Sequence, residues 1–206
     1  IFDGPTRTRA GDPIGSFFGY VVEGVYQNAA DSASSPNAGY HPGDLKFKDV
    51  NGDKAITPDD RTIIGNPTPD FNYGFSIGLN YKGFDIGIDV QGVSGNEIFR
   101  TWGNGANYAR LNYRAARLNR WHGEGTSNFE PWLNDNSAAN LLNSTYMIES
   151  GSYMRIRNAQ IGYTFGRNTL EKAHIKSLRI YVSAQNLKTF KDNSGFTPEF
   201  GGTALQ

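Results

Sequence analysis

Cysteine is absent from the 206 residues. This removes disulfides, thiol nucleophiles and Cys-ligated metals, and leaves the redox compartment unassigned. Neither sign of charge is in excess: 20 Lys and Arg balance 20 Asp and Glu. There is therefore no basic field for nucleic acid and no acidic tail. No apolar run approaches the roughly 18 residues of a helical membrane span, and mean hydropathy is −0.54. A helical span is excluded, whereas a barrel is not, because half of each barrel strand faces water or a polar lumen. The chain does not open on Met, carries no signal-peptide pattern, and ends in a Gly-rich stretch with no closing strand. The expectation is a fragment truncated at both ends.

What the sequence does have is glycine and aromatics: 25 Gly, 13 Phe, 11 Tyr and 3 Trp, a composition suited to a β protein with many turns. The strongest pattern lies in residues 71 to 93. From Phe71 to Tyr81 every odd position is large and apolar, and every even one is small or polar: Asn72, Gly74, Ser76, Gly78, Asn80. After Lys82-Gly83 the apolar phase moves to Phe84, Ile86, Ile88 and Val90, with Asp85, Gly87, Asp89 and Gln91 between. Side chains alternate faces along a strand. A two-residue turn sets Tyr81 opposite Phe84 on one face. Leu79 then meets Ile86, Ile77 meets Ile88 and Phe75 meets Val90. Gly83 supplies the positive φ the turn needs, although Lys82 is an unusual first residue. Each strand reaches the roughly nine to eleven residues that cross a bilayer, and a long strand apolar on one face and polar on the other is what a barrel wall requires.

Four further segments read as strands: 16–26, 44–48, 152–165 and 176–187. Residues 108–120 have helix-forming composition, and 94–143 is otherwise polar, aromatic and irregular. Short links at 82–83 and 166–175 alternate with long ones at 27–69 and 94–150, as periplasmic turns and extracellular loops do in outer-membrane barrels. Five wall strands are expected, at 16–26, 70–81, 84–94, 152–165 and 176–187. Five cannot close a barrel, and lipid does not tolerate an open edge, so the rest of the wall must come from elsewhere.

Several motifs in order resemble the SusC/RagA family of TonB-linked outer-membrane transporters, in the C-terminal part of the barrel. They are Phe17-Phe18-Gly19-Tyr20 with Glu23-Gly24-Val25-Tyr26, Pro42 to Phe47, Asp49 to Asp53, Asp60 to Pro67, Pro69-Asp70-Phe71, Gly123 to Asn128, Gly151 to Arg155, Ala184-Gln185-Asn186 and Gly195 to Glu199. The resemblance implies an all-β fold: a partial antiparallel transmembrane β-barrel with long extracellular loops, cut from a barrel of about 22 strands. Residues 1–206 would form one C-terminal barrel segment, with the plug domain and the final strand outside it. It further implies import of oligosaccharides or peptides across the outer membrane of a Gram-negative bacterium, energised by TonB. A SusD-like lipoprotein would be the partner, TonB contact would run through segments outside this sequence, and no enzymatic activity or nucleic-acid binding is implied.

The acidic loop Asp49 to Asp60 resembles an EF-hand calcium loop. Asp49, Asn51 and Asp53 take positions one, three and five, the Ala55 carbonyl seven, Thr57 nine and Asp60 twelve, and hard oxygen ligands at this spacing wrap one Ca²⁺. Lys54 replaces the usual Gly at position six and Asp60 is shorter than Glu. The alternative for the same residues is an Asx-rich turn held by its own hydrogen bonds. Calcium, if bound, is expected to stiffen the loop. His41, His122 and His174 lie in three separate loops without ligand spacing. Asp85 and Asp89 could suggest a glycosidase pair, but they share a strand face with Asn72, Ser76, Asn80 and Gln91, and these six read as lumen-facing. Trp102, Tyr108, Tyr113, Trp121 and Trp132 are loop aromatics able to stack on cargo or on a partner. Tyr73, Tyr81, Phe84, Tyr163 and Phe165 are assigned to an aromatic girdle at the turn side. Arg110, Arg114, Arg117 and Arg120 read as a solvated loop face. The rival whole-chain reading is a secreted calcium-binding β-sandwich such as a carbohydrate-binding module. That fold would have to bury both long apolar strand faces under a second sheet.

Overall fold

A computed structural model describes residues 2–36, 39–100, 115–133, 139–171 and 174–195. The chain is all-β. Its strands in order are β1 (Phe2–Asp3), β2 (Thr6–Arg7), β3 (Ser16–Gly19), β4 (Val22–Val25), β5 (Leu45–Phe47), β6 (Thr62–Gly65), β7 (Phe71–Tyr81), β8 (Phe84–Ser94), β9 (Glu97–Phe99), β10 (Ile148–Ser150), β11 (Tyr153–Thr164) and β12 (Arg179–Lys191). Two compact units emerge: a loop unit, Ile1–Pro67 with Glu97–Glu149, and a sheet unit, Thr68–Asn96 with Ser150–Gln206.

The sheet unit is a four-stranded antiparallel sheet ordered β12-β11-β8-β7, with strands of 11 to 13 residues. The β7–β8 register is the one the alternation specifies: Tyr81 faces Phe84, Leu79 faces Ile86, Ile77 faces Ile88 and Phe75 faces Val90. The turn works because Lys82 (φ 45°) and Gly83 (φ 89°) both adopt positive φ, as a twist-matched two-residue turn demands. At a rise of about 3.4 Å per residue an 11-residue strand is roughly 34 Å long, and a tilt of about 40° lowers its height to roughly 26 Å.

A bulge shifts the phase of the two later strands. Between β11 and β8 the pairing moves from Ile156–Val90 to Asn158–Asp89, so Arg157 is an extra residue. Between β11 and β12 it moves from Ile156–Lys188 to Asn158–Gln185, setting Arg157 against both Asn186 and Leu187. Asn186 absorbs the irregularity at φ 51°, a conformation Asn tolerates better than most side chains. The apolar phase of β11 therefore changes from Ala159, Ile161 and Tyr163 to Met154 and Ile156. Beyond the bulge β12 runs on to Lys191, past the expected end at residue 187, and it starts at Arg179 rather than 176.

The wall sheet holds four strands, not five. The expected strand 16–26 breaks at Tyr20 into β3, which pairs with β2 and β6, and β4, which pairs with β5. Both belong to the loop unit. Ser16, Phe17, Gly19, Val25 and Tyr26 are buried, so these residues do not present one face to a core and the other to a solvent or lipid phase. Gly19 lies so close to the Asn143 carbonyl that a Cβ there would sit 2.2 Å from its oxygen. Tyr20 donates its backbone N–H to that same oxygen at 2.9 Å. Asn143 thus lies against the middle of the expected strand, where that strand divides into β3 and β4.

The loop unit packs around Tyr20, Val25, Leu45, Phe47, Ile56, Tyr146 and Met147. Two long connections are stapled onto it. Asn128 Oδ1 accepts from Val25 N at 3.0 Å, and Gln27 Nε2 donates to the Ser127 carbonyl at 3.0 Å. This accounts for the Gly123–Asn128 motif as the segment that docks beside β4. Of the expected helix 108–120, the described part is a 3₁₀ turn, Ala115–Asn119; the remainder lies outside the described residues.

Candidate functional site

The sheet unit has two chemically distinct faces. On one, Phe71, Phe75, Ile77, Leu79, Tyr81, Phe84, Ile86, Ile161, Ile180 and Val182 are all exposed, and strand pairing aligns them. On the other, the same register gathers Asn72, Ser76, Asn80, Asp85, Asp89 and Gln91. The sandwich alternative required the apolar face to be covered; among the described residues most of that face is exposed.

Hydrogen bonds knit the polar face across strands. Ser76 Oγ donates to Asp89 Oδ1 at 2.6 Å, and Asn158 Nδ2 donates to Asp89 Oδ2 at 3.3 Å. The bulged Arg157 donates to Gln91 Oε1 at 2.9 Å, and Arg155 Nε to Thr189 Oγ1 at 2.8 Å. Arg179 on β12 reaches over β11 to Asp85 on β8, with Nε 3.0 Å from Oδ1 and Nη2 on Oδ2. Gly162 makes that reach possible: a Cβ there would lie 2.7 Å from both the Arg179 guanidinium and the Asp85 carboxylate. Asp85 and Asp89 are thus engaged by separate partners and do not form an acid–base pair. Sequence reasoning named Asp85 but missed Arg179, whose register partner is Thr164 and which lies diagonally across from Gly162.

The aromatics divide between the two ends of the sheet. Phe84 and Tyr163 stack with centroids 4.6 Å apart, and Tyr163 meets Phe165 at 4.9 Å edge-on, beside Tyr81 at the short-turn end. Tyr73 belongs to the opposite end. It pairs with Gly92, eight residues before Tyr81, and corrects the grouping expected from sequence. Its ring lies across Gly92, where a Cβ would be 2.3 Å away, and its hydroxyl reaches the Tyr153 carbonyl at 3.4 Å.

In the loop unit the acidic segment is wired to its own backbone. Asp49 accepts from Gly52 N at 2.6 Å and Lys54 N at 2.8 Å, and Asp53 accepts from Ala55 N at 2.8 Å. Fully buried Asp60 accepts from Thr57 N at 2.7 Å and Val50 N at 2.8 Å. The Thr57 amide, followed by those of Val50 and Asn51, holds the Asp60 carboxyl below its usual pKa. The fit to calcium is favourable in two respects. Carboxylate oxygens of Asp49, Asp53 and Asp60 lie within 4.8 Å of one another, and Lys54 adopts φ 64°, the conformation glycine usually supplies at that loop position.

Trp121 and Trp132 pack around Gly43, and both remain partly exposed. Both rings would lie 2.7 Å from a Cβ at Gly43, whose φ is 94°. Trp132 Nε1 donates to Asp44 Oδ1 at 2.8 Å, and Asn140 Nδ2 donates to the same oxygen at 3.0 Å. Trp102, Tyr108 and Tyr113 lie outside the described residues. Arg117, expected on a solvated face, is buried: its guanidinium lies 5.7 Å from the Tyr146 ring and 3.5 Å from Glu130. Arg100, unremarked in the sequence, covers the same ring at 4.9 Å and pairs with Glu149 at 2.9 Å. The Tyr146 hydroxyl donates to Glu130 at 2.7 Å, and burial raises its pKa. The three histidines are not brought together; His41 lies near Asp44, and His122 Nδ1 sits 3.0 Å from the Arg120 carbonyl.

No family model matches the chain. Among curated proteins it is 37% identical over 197 residues to TonB-dependent receptor P3 of Formosa agariphila, spanning 93% of this chain and 19% of that receptor. It is 24% identical over 177 residues to TonB-dependent receptor SusC of Bacteroides thetaiotaomicron, spanning 85% of this chain and 17% of SusC. The chain thus spans about a fifth of the length of the curated relatives it matches. Among solved structures, that of the RagAB peptide transporter superposes with a TM-score of 0.73 at 22% identity, over 98% of this chain and 22% of that one.

Proposed function

The chain is a part-length relative of the TonB-dependent receptors of SusC/RagA type, with the fold of part of their barrel, and from that premise we propose that it forms wall and loops of an outer-membrane nutrient importer. The observation that carries the proposal is the sheet β7–β8–β11–β12, whose apolar face is exposed along β7 and over the turn-side half of β8, in strands long enough to cross a bilayer. The apolar face contacts hydrocarbon. Asn72, Ser76, Asn80, Asp85, Asp89 and Gln91 line the wet lumen through which cargo passes. Cargo is an oligosaccharide or a peptide, the latter by likeness to the RagAB transporter. Release is driven by TonB, and a SusD-like lipoprotein caps the outer face. The work is transport, without covalent chemistry: the polar wall replaces water at the surface of a hydrophilic solute, and the ion pair of Arg179 with Asp85 keeps that wall rigid.

Two experiments test this. Single cysteines at positions 72 to 80 of the full-length receptor, probed in cells with a membrane-impermeant maleimide, should react at even positions and resist at odd ones; equal reactivity on both faces removes the barrel assignment. Deleting the gene, or TonB, should abolish growth on the same glycan or peptide source. Growth that survives TonB loss argues against energised import.

The loop 49–60 supports a second, structural reading, in which Asp49, Asn51, Asp53, the Ala55 carbonyl, Thr57 and Asp60 hold one Ca²⁺. Clustered carboxylates around a positive-φ residue favour it. Bound calcium would cross-link the loop ends and slow their opening. Calorimetric titration should register uptake at or below millimolar Ca²⁺, and an Asp49→Ala variant should lose it. No heat in the parent protein leaves the Asx-turn reading alone.

A further inference from the structure

The exposed apolar face is not uniform. At the short-turn end, Phe84, Ile161, Tyr163, Phe165, Ile180 and Val182 line an open depression of about 300 Å³ between β8, β11 and β12. Three of these are aromatic and three aliphatic, and Gly162 and Tyr181 complete the lining. Two exposed lysines belong to the two connections at this end of the sheet, Lys82 between β7 and β8 and Lys176 between β11 and β12. Lys82 sits in the β7–β8 turn, one residue before Gly83, whose Cβ position would be 3.1 Å from the Tyr163 ring. Its ammonium lies 5.2 Å above the Tyr81 ring. Lys176 precedes β12, two residues before Leu178, whose carbonyl accepts from Phe165 N at 3.0 Å. Strands stand about 4.8 Å apart, so these two turns are separated by roughly two to three strand spacings, close enough for both side chains to bracket one headgroup. Among the described residues at this end, Arg179 is matched by Asp85 and Arg167 by Glu171 at 3.3 Å.

We propose that this depression with its two lysines is a docking site for one anionic phospholipid of the leaflet that borders the short turns. The proposal rests on the membrane reading above. An acyl chain lies in the depression, where it replaces water against six apolar side chains. The phosphate meets Lys82 and Lys176, whose stems run along the aromatic rim while their charges reach the interface. A zwitterionic lipid fills the same depression but gains nothing from the lysines.

The test uses the full-length receptor extracted in detergent and titrated, under native mass spectrometry, with phosphatidylglycerol or with phosphatidylcholine of the same chains. The parent protein should retain phosphatidylglycerol at roughly thirtyfold lower lipid concentration, the scale of two lysines each attracted to an anionic surface. Lys82→Asn with Lys176→Gln should erase that preference while leaving weak binding of both lipids; Asn suits the positive φ at position 82. Val182→Trp, which fills the depression, should weaken both lipids. No preference in the parent, or a preference that survives in the double variant, overturns the site. Unchanged phosphatidylglycerol binding in Val182→Trp does the same for the acyl contact. A heat-modifiable shift on electrophoresis monitors barrel assembly in every sample, and a parent receptor without that shift overturns the membrane reading along with the site.

Discussion

Leucine occupies opposite environments in the two units. Leu45, in the loop unit, is 0% exposed, whereas Leu79, in the sheet unit, is 60% exposed, and Ile77 on the same strand and Val182 on β12 are similarly bare. The loop unit folds as water-soluble proteins do, burying apolar side chains and satisfying the polar groups caught among them, as Asp44 and Asp60 illustrate. The sheet unit does the reverse: it hydrogen-bonds its polar side chains to one another on one face and leaves the other face greasy. A contiguous apolar face of this extent would drive aggregation in water. In lipid such a face is the favoured surface, as the proposed barrel wall requires.

The comparison breaks most visibly at its two leucines. Leu45→Ala should cost about 2–5 kcal/mol, because a buried site is left with a cavity, while Leu79→Ala should change stability far less. Thermal unfolding of the detergent-extracted receptor, read by proteolysis of the loops and by heat-modifiable migration of the barrel, separates the two. Equal losses would mean the sheet face is packed after all. Next in size is Ile77→Arg, which should cost roughly 2–4 kcal/mol at mid-depth in lipid. Its neighbour Ser76→Arg should be much milder; a membrane-insertion assay that ranks them equally denies the two-faced wall. Within the loop unit, Tyr146→Phe strips the hydroxyl from Glu130 and leaves a buried carboxylate short of a donor, for an expected cost of about 1–3 kcal/mol. A denaturant midpoint unchanged by that substitution would show the Arg100–Tyr146–Arg117 stack to hold without it.

The smallest effect concerns acid. Asp60 has its pKa lowered by main-chain N–H groups, so its contribution is fully present above the unfolded carboxylate value of about 3.9 and is lost as pH falls through the depressed folded value. Proteolytic resistance of loop 49–60 should therefore persist at pH 5 and decline only below about pH 4. Loss already at pH 5 would assign the loop's order to something other than this carboxylate.

How much of this was legible in the chain follows from how far each feature reaches along it. The β7–β8 hairpin was readable residue by residue, because a period of two and a two-residue turn are local facts. The same logic placed the polar set from Asn72 to Gln91 on one face. It failed at strand 16–26, where the dividing agent is the Asn143 carbonyl, more than a hundred residues away. It misplaced Tyr73, because strand ends were assigned without counting back from the turn. It also missed that Arg117 is drawn into the loop core, since a guanidinium between Glu130 and the Tyr146 ring has no signature in sequence spacing. The bulge at Arg157 left a trace, a change of apolar phase within β11, but its compensating Asn186 lies on another strand.

The alternation of apolar and polar residues by itself determined that this protein contains a bilayer-length, two-faced sheet, because pleated strands convert sequence parity directly into sidedness. Tertiary structure alone decided which segments join that sheet, how Gly162 lets Arg179 reach Asp85 across an intervening strand, and how the acidic and tryptophan-bearing loops close on buried carboxylates. Those outcomes depend on distances between residues remote in the chain, which no local pattern encodes.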